Sequence, residues 1–418
     1  MIESLQYAMS LDLALHRIAT HLAARYEADF SIGVHSPQVE VETTSALFVW
    51  GSVTKLVTGA SLLQLVEQRL IELESPVAPL LDSQLAKLSL PHLTSLFGDE
   101  ASKITLQHLL SMRSGVPDYD TAVPYPLPPT DPFRARVYLT PQREYGPGAL
   151  VNLSWVAKGK LDFTPGAKMR YSSTNYVLAG LLLAELGKAP TWDAYDQRSL
   201  LDRLPVGRRR EYKELRFAVH GSPLENGAVN GFDRTSYNGH NASARPGVNV
   251  SDVVGVYGGW TASDLTARAS DVARLAYDIF GAHTNNHLLS PHSVRTMIPR
   301  GSDYYGLSTF NLTMFNLTGH TDWRNREAYG HLGATYGYDS IVAYFPGPDL
   351  SIAIGSNIET DFQDQPRAAL CSVYNAVVAH LSGQPEPKCE YTRSGYFGGT
   401  CKCEERSAVD SMPWRSVS

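Results

Sequence analysis

The sequence lacks a long apolar run, a phosphate-binding glycine loop and an excess of basic residues. No segment approaches the ~18 consecutive apolar residues of a membrane-spanning helix, so we expect no membrane span. Without a dinucleotide or phosphate-loop pattern, we expect a protein that uses no cofactor. A net charge of -6 gives no electrostatic reason to bind nucleic acid or acidic lipid. The 418 residues, 43% of them hydrophobic, are enough to bury a large core.

Cysteine is scarce and unevenly placed. Three of the four cysteines, Cys389, Cys401 and Cys403, lie in a glycine- and charge-rich C-terminal tail, and Cys371 lies in a predicted helix. Two disulfides that tie down the tail are the favoured interpretation, and all three pairings are open. A zinc site is the competing interpretation, which the lack of histidine among these cysteines disfavours.

Asn-x-Ser/Thr sequons favour a secreted glycoprotein, or another extracytoplasmic location. Against this, Met1 to Ser10 has neither a basic start nor an apolar segment, so we expect a signal peptide to be removed or never present. The five sequons begin at Asn152, Asn241, Asn249, Asn311 and Asn316.

Sheet-forming patterns occur at both ends of the chain. A helix through residues 11–22 precedes a hairpin at 30–41, and a second hairpin at 336–354 precedes a helix at 367–381. We therefore predict one α/β domain from residues 1–75 and 291–383, a mostly helical insertion at 76–290 and a cysteine-containing tail at 384–418.

The predicted insertion contains two long stretches that look irregular. Residues 117–147 hold eight prolines, too many for regular structure, and 221–259 are rich in glycine and asparagine. Such loops form walls or lids of binding sites, or are tolerated surface insertions, and both interpretations stay open.

Three histidines, His283, His287 and His292, are spaced like metal ligands. Ser290-Pro291 predicts the start of a surface helix at this point instead, so we expect no metal site here.

Ser52-Val53-Thr54-Lys55 opens a long apolar helix and is a candidate nucleophilic site. A serine hydroxyl needs a base, and a lysine three residues later lies on the same helical face. The helix start also directs free N–H groups at developing negative charge. Read alone, the pattern more often describes an N-cap serine beside a surface lysine.

Tyr171 precedes a second apolar helix, predicted from Val177 to Leu186. Its phenol becomes a useful base only if nearby cations stabilise the phenolate. Lys55 is one such cation, and a protonated His331 would add to it, which predicts activity that changes where imidazole titrates.

His331-Leu332-Gly333-Ala334 is predicted to begin an edge strand. Gly333 would allow close approach of a substrate backbone, and the N–H groups of Ala334 and Ser52 would form an oxyanion hole. Alone, His-x-Gly before a strand is usually structural.

Three motifs occur in the order Ser52-Val53-Thr54-Lys55, Tyr171-Ser172-Ser173 and His331-Leu332-Gly333. In this order they resemble the serine β-lactamase-related family of class C β-lactamases, DD-peptidases, D-aminopeptidases and related esterases. Residues 106–117 and 347–357 also look like that family, and the likeness spans roughly residues 10–382. It implies an antiparallel sheet flanked by helices and built from both termini, with a mostly helical inserted domain. It further implies Ser52 as nucleophile, Lys55 and Tyr171 as the proton-handling pair, and the Ser52 and Ala334 N–H groups as oxyanion hole.

Two positions depart from the family pattern. The second motif usually ends in asparagine, which contacts the substrate, and here it ends in the shorter Ser173. The third motif begins with lysine in β-lactamases, whereas here it begins with His331, which is mostly neutral at pH 7. Ser173, His331 and Gly333 are the expected substrate-binding residues, and the departures disfavour β-lactams.

We therefore expect a serine hydrolase that forms an acyl-enzyme on Ser52 and acts on small carboxylic esters or amides. One alternative is a peptidase or acyltransferase for D-amino-acid or cyclic peptides, and another is a secreted binding protein on the same scaffold. A small molecule or peptide is the expected partner, and the sequence does not fix the oligomeric state.

Overall fold

The structure is a computed structural model that describes residues 2–120, 132–236, 238, 245–284, 287–384, 386–393 and 399–403. The side chains of residues 2–10, 393, 399, 400 and 403 are not included. Asn241, the Cys403 side chain and the end of the predicted tail, 404–418, therefore lie outside the described residues.

The helices alternate with strands at both ends of the chain and dominate the region between them. The α-helices are α1 Ile2–Tyr26, α2 Thr54–Glu67, α3 Ala78–Lys87, α4 Leu93–Phe97, α5 Leu106–Leu110, α6 Pro132–Leu139, α7 Pro147–Val151, α8 Thr174–Leu186, α9 Val206–Arg209, α10 Ala269–Phe280, α11 Pro291–Met297, α12 Trp323–Arg326 and α13 Asp364–Ser382. Short 3-10 helices occupy Gly51–Val53, Asp99–Lys103, Trp192–Ala194, Gln197–Arg203, Val254–Tyr257, Trp260–Ala262 and Leu312–Phe315.

The strands form one large sheet and several small ones. They are β1 Phe30–His35, β2 Glu40–Glu42, β3 Phe48–Val49, β4 Arg216–Phe217, β5 Phe232–Asp233, β6 Val248–Asn249, β7 Leu265–Ala267, β8 Phe310–Asn311, β9 Tyr329–Thr335, β10 Tyr338–Phe345, β11 Leu350–Ser356, β12 Ile358–Glu359, β13 Cys389–Arg393 and β14 Gly399–Cys403.

The large sheet is antiparallel, with strand order β2-β1-β11-β10-β9-β8. Ile354 pairs with Ile32 on one side and Ile341 on the other, so apolar residues line up across the sheet. All residues of β10 and β11 are buried, as expected for strands covered by helices. The predicted sheet built from both ends of the chain is confirmed.

Helices cover this sheet. Helices α1 and α13 pack against each other and on β1 and β11, while α10 packs on β1, β10 and β11. Leu11, Leu15 and Leu22 of α1 are buried, as the helical spacing predicts. Helix α10 falls within the range 76–290 that we assigned to the insertion, and the domain limits stay a prediction.

The proline-rich stretch contains regular structure, which corrects our expectation. Helices α6 and α7 begin at Pro132 and Pro147, each at a first helical position. A proline is well tolerated there because the N–H that it lacks would have no partner within the helix. Residues 121–131 of the same stretch lie outside the described part of the chain.

A disulfide joins Cys371 of α13 to Cys389 at the start of β13. It connects the β13–β14 hairpin to the last helix of the sheet domain, and a hydrogen bond of 2.7 Å from the Tyr391 hydroxyl to Asp364 adds a second link. The disulfide confirms part of the predicted tethering of the tail and excludes a zinc site that uses these two cysteines.

Candidate active site

Ser52 lies in the 3-10 turn that leads into α2, and Lys55 lies in the first turn of that helix. Lys55 is completely buried, and its Nζ donates hydrogen bonds of 2.8 Å to Ser52 Oγ and 2.9 Å to the Ala262 carbonyl. Ser52 itself is half-buried. The structure therefore brings the predicted nucleophile and its predicted base into direct contact.

Neighbouring polar contacts fix the start of α2. Thr54 Oγ1 donates to the Gly51 carbonyl over 2.7 Å and accepts from the N–H of Leu265 over 2.9 Å. The buried indole of Trp50 donates to the Ala267 carbonyl over 3.0 Å. These bonds attach the Ser52 turn to β7, so the hydroxyl is held on a rigid element.

Burial lowers the pKa of Lys55 to about 7, although the nearby carboxylates Asp118 and Asp120 act in the opposite direction. A charged amine loses its hydration in a buried site, which favours the neutral form. Near pH 7 a large fraction of Lys55 is therefore an uncharged amine that can accept the proton of Ser52.

The side chain of Ser52 lies near the Tyr171 phenol and acts to lower its pKa, and Lys55 Nζ lies 5.2 Å from the centre of the Tyr171 ring. Its ring stacks on Phe310 at a centroid distance of 6.0 Å and meets Tyr305 edge-on at 6.2 Å. Burial raises the pKa of Tyr171 well above 10, so its phenol stays protonated at neutral pH. The raised pKa disfavours the expected phenolate base and favours Tyr171 as a proton donor.

His331 lies in β9 with its side chain fully buried. Its Nδ1 is 2.5 Å from the Leu332 carbonyl and must donate to it, which leaves Nε2 to accept from the Tyr305 hydroxyl at 2.9 Å. Burial lowers the pKa of His331 to about 3, so the ring is neutral across the working pH range. The expected imidazole titration near neutral pH is therefore wrong.

Both ring nitrogens of His331 are already used by the protein, so the structure offers neither of them to a substrate. Phe310 packs on the imidazole with a centroid distance of 4.7 Å, and Tyr305 also approaches Tyr176, with 3.3 Å between the two hydroxyl oxygens. His331, Phe310 and Tyr305 therefore form a packed group of rings beside Tyr171, and the role of His331 there is structural.

The segments that carry the two predicted oxyanion donors, Ser52 and Ala334, meet at Gly51. Gly51 has a positive φ of 49°, and a Cβ placed on it would lie 2.7 Å from the Ala334 carbonyl oxygen. The turn that carries Ser52 therefore packs directly on the β9 backbone at Ala334. Only glycine permits this approach without strain.

Gly333 has a different role from the one we expected. A Cβ at Gly333 would lie 2.1 Å from the Trp50 carbonyl oxygen and 2.2 Å from Ser340 Oγ. The protein itself fills the space beside Gly333, with the Trp50 backbone and the Ser340 side chain. Gly333 therefore lets β9 pack against the turn that carries Ser52 and does not admit a substrate.

Ser173 is buried at the start of α8, and its N–H donates to Asp118 Oδ1 over 2.9 Å. Asp120 accepts a hydrogen bond of 2.9 Å from the Tyr336 hydroxyl, just beyond β9. The segment that carries both aspartates therefore joins the α8 side of the site to the β9 side.

The sequence did not reveal Asp118, Asp120, Tyr305 or the Ala262 carbonyl as parts of the site. The two aspartates directly follow a stretch that looked like the family, which was the available signal. Tyr305 and Ala262 come from an isolated β-bridge and a short 3-10 helix, which no sequence pattern marked.

No group of three or more His, Cys, Asp or Glu side chains in the described residues is arranged to hold a metal ion. His283, one of the three considered for metal binding, is 2.7 Å from Asp349 through Nδ1. Ser290 caps α11 and Pro291 begins it, as predicted.

Among the described helices, none is long and apolar enough to cross a bilayer.

Comparison with known proteins agrees with the geometry. The model of the family described as Beta-lactamase matches residues 38–371. The chain belongs to the beta-lactamase family. This membership confirms the resemblance read from the motifs and supports a hydrolase that works through a serine.

Solved structures with the beta-lactamase fold superpose over most of the chain. A D-stereospecific amidohydrolase from Streptomyces sp. is 19% identical with a TM-score of 0.63, covering 89% of this chain and 99% of the other. D-amino acid amidase from Ochrobactrum anthropi SV3, solved with L-phenylalanine amide, is also 19% identical, with a TM-score of 0.62 and coverages of 89% and 98%. An octameric penicillin-binding protein homologue from Pyrococcus abyssi is 17% identical, with a TM-score of 0.61 and coverages of 89% and 77%. At these identities the matches establish the fold.

Proposed function

We propose that this protein is a serine hydrolase that forms an acyl-enzyme on Ser52 and acts on small carboxylic esters or amides. The hydrogen bond between Lys55 Nζ and Ser52 Oγ, inside a site that favours the neutral amine, carries this proposal. A lysine that stayed charged would have no lone pair for the serine proton.

The arrangement supports a two-stage reaction. Neutral Lys55 accepts the Ser52 proton as Oγ attacks the carbonyl carbon, and the N–H groups of Ser52 and Ala334 stabilise the oxyanion. Tyr171, still protonated, passes its proton to the leaving oxygen or nitrogen and takes back from Lys55 the proton that Lys55 received from Ser52. Water, or an alcohol or amine acceptor, then attacks the acyl-enzyme.

β-Lactams fit this site poorly. Their carboxylate requires a cation, and the motif position that holds lysine in β-lactamases carries the neutral, buried His331. The carboxylates of Asp118 and Asp120 lie close enough to favour the charged form of Lys55, so they also repel an anionic substrate.

Brief incubation with p-nitrophenyl butyrate, followed by intact mass measurement, tests the proposal. We expect a butyryl adduct or rapid nitrophenol release in the wild type and neither in Ser52→Ala. Tyr171→Phe should lose most of the release rate. The matched controls are Ser102→Ala, which changes an exposed serine, and Tyr195→Phe, which changes a half-buried tyrosine outside the site.

If Ser52→Ala or Tyr171→Phe keeps full activity, the assignment is wrong. If the wild type gives no adduct and no release, and active-site serine probes also fail to label Ser52, a binding protein on this scaffold becomes the better explanation.

The second candidate, a hydrolase of D-amino-acid amides or peptides, is favoured by Asp118 and Asp120. Two carboxylates beside the nucleophile suit a substrate that carries an ammonium group near its scissile carbonyl. The fold neighbours named above include a D-amino acid amidase. Turnover of D-phenylalanine amide should then exceed that of its N-acetyl derivative, and Asp120→Asn should reduce the ratio about tenfold. Equal turnover of both amides, unchanged in Asp120→Asn, would reject it.

A further inference from the structure

The sequon asparagines in the described part of the chain fall into two groups. Asn152 and Asn249 are exposed, and within the described residues neither side-chain amide nitrogen has a hydrogen-bond partner. Nδ2 is the atom that an N-linked glycan occupies, so these two asparagines present it to solvent.

The other two use Nδ2 inside the fold. Asn311 is 7% exposed, and its Nδ2 donates to the carbonyls of Gly301 and Asp303 over 3.4 and 3.3 Å. Asn316 Nδ2 donates to the Cys401 carbonyl over 3.4 Å, under the C-terminal hairpin. A sugar on either nitrogen would break these bonds and displace the packed chain.

Local geometry at Asn249 directs the amide nitrogen outward. Its Oδ1 accepts from the N–H of Ser251 over 2.9 Å and from the Ser251 hydroxyl over 2.6 Å, so the carbonyl end of the amide faces the protein. Asn152 follows the last residue of α7, with its backbone N–H bonded to the Gly148 carbonyl and its side chain in solvent.

We propose that Asn152 and Asn249 are N-glycosylation sites and that Asn311 and Asn316 are not. The donor is an oligosaccharide linked to a lipid pyrophosphate. A bond forms between Asn Nδ2 and C1 of the first sugar, the C1–O bond to the pyrophosphate breaks, and the lipid pyrophosphate leaves with its electron pair. The amide loses one proton in this step.

The disulfide between Cys371 and Cys389 independently indicates that the chain passes through a compartment where N-glycans are attached. Stable disulfides form in oxidising compartments, which in eukaryotic cells are also where N-glycans are attached. No hydrogen bond or ring contact links Asn152 or Asn249 to Ser52, Lys55 or Tyr171 in the described residues, so a glycan should leave the hydrolase site undisturbed.

The test is secretion of the full chain from a eukaryotic cell line behind a cleavable signal, with Asn241→Gln present throughout because that sequon lies outside the described residues. Enzymatic deglycosylation in ¹⁸O water converts each occupied asparagine to labelled aspartate, which peptide mass mapping locates. We expect labels at residues 152 and 249 and none at 311 or 316.

Asn152→Gln and Asn249→Gln should each remove one glycan from the intact mass, and the double variant should carry none. Both changes are at exposed positions, and an unchanged melting temperature after deglycosylation confirms that the variants fold. A missing label at residue 152 or 249 in folded, secreted protein, or a label at residue 311 or 316, would overturn the proposal.

Discussion

The Tyr305 hydroxyl donates a 2.9 Å hydrogen bond to Nε2 of His331, and both side chains are buried. This bond fixes the histidine tautomer, because Nδ1 is already bound to the Leu332 carbonyl. Burial and the nearby Lys55 lower the pKa of this histidine, so it stays uncharged at a motif position that holds lysine in β-lactamases.

Replacing Tyr305 with phenylalanine should leave Nε2 of His331 unpaired in the interior. Such a loss costs about 1–3 kcal/mol of unfolding free energy, measurable by urea denaturation. The control, Tyr195→Phe, removes a hydroxyl whose hydrogen bond to Ser199 is long, 3.4 Å, and should cost only about 0.5 kcal/mol. Equal losses in the two variants would mean that the Tyr305–His331 bond contributes nothing particular.

The rate of ester hydrolysis should rise with pH through about 7. Burial lowers the pKa of Lys55 to about 7, so protonation below that value removes the base, with about a tenfold loss of kcat/KM per pH unit. The pKa of His331 is about 3, and it should add no bend between pH 5 and 8. A pH profile of kcat/KM on p-nitrophenyl butyrate checks this, and a flat profile between pH 5.5 and 8 would contradict it.

Asp264 should make the protein less stable as pH rises. Burial raises its pKa from 3.8 to about 7, and its carboxylate accepts a hydrogen bond of 2.5 Å from Gln197 Nε2. Between pH 4 and 7 the unfolded chain therefore binds fewer protons than the folded one, and unfolding free energy falls by up to about 1.4 kcal/mol per pH unit from this group.

Denaturation of Asp264→Asn across pH 4–8 isolates this contribution, since the amide keeps an acceptor for Gln197 but does not ionise. We expect the variant to gain stability relative to the wild type as pH rises. If the two curves stay parallel, Asp264 does not titrate in this window.

Breaking the Cys371–Cys389 disulfide should destabilise the fold. The bond closes a segment with a sequence separation of 18, which corresponds to about 3 kcal/mol from the restricted unfolded chain. The Cys371→Ala/Cys389→Ala double variant should show this loss without reductant. The wild type should lose a similar amount when reductant is added, whereas the variant should not respond to it. A double variant as stable as the wild type would refute the role of the bond.

Much of the fold was predictable because its signals are local. The spacing of Leu11, Leu15 and Leu22 marks one face of α1, and the turn residues at 346–349 between two strand-like runs mark the β10–β11 hairpin of the central sheet. We did not predict helix α6 because we considered the number of prolines and not their positions. Pro132 occupies the first helical position, where proline is tolerated.

The reacting groups were predictable for the same reason, since Ser52 and Lys55 are three residues apart on one helical turn. Their environment was not. The Ala262 carbonyl that holds Lys55 and the Tyr305 hydroxyl that holds His331 are distant in sequence, and burial, which sets both pKa values, is a property of the folded chain.

The oxyanion hole depends on the contact between Gly51 and Ala334, so hydrolytic activity appears only after these distant parts of the chain have folded together. The two sides of the oxyanion hole are separated by nearly the entire family-matched region, so the loop that closes between them is among the longest in the molecule. Such distant contacts form late and slowly. During refolding, ester hydrolysis should therefore appear after helical circular dichroism has recovered, because helices can form before the ends of this loop meet.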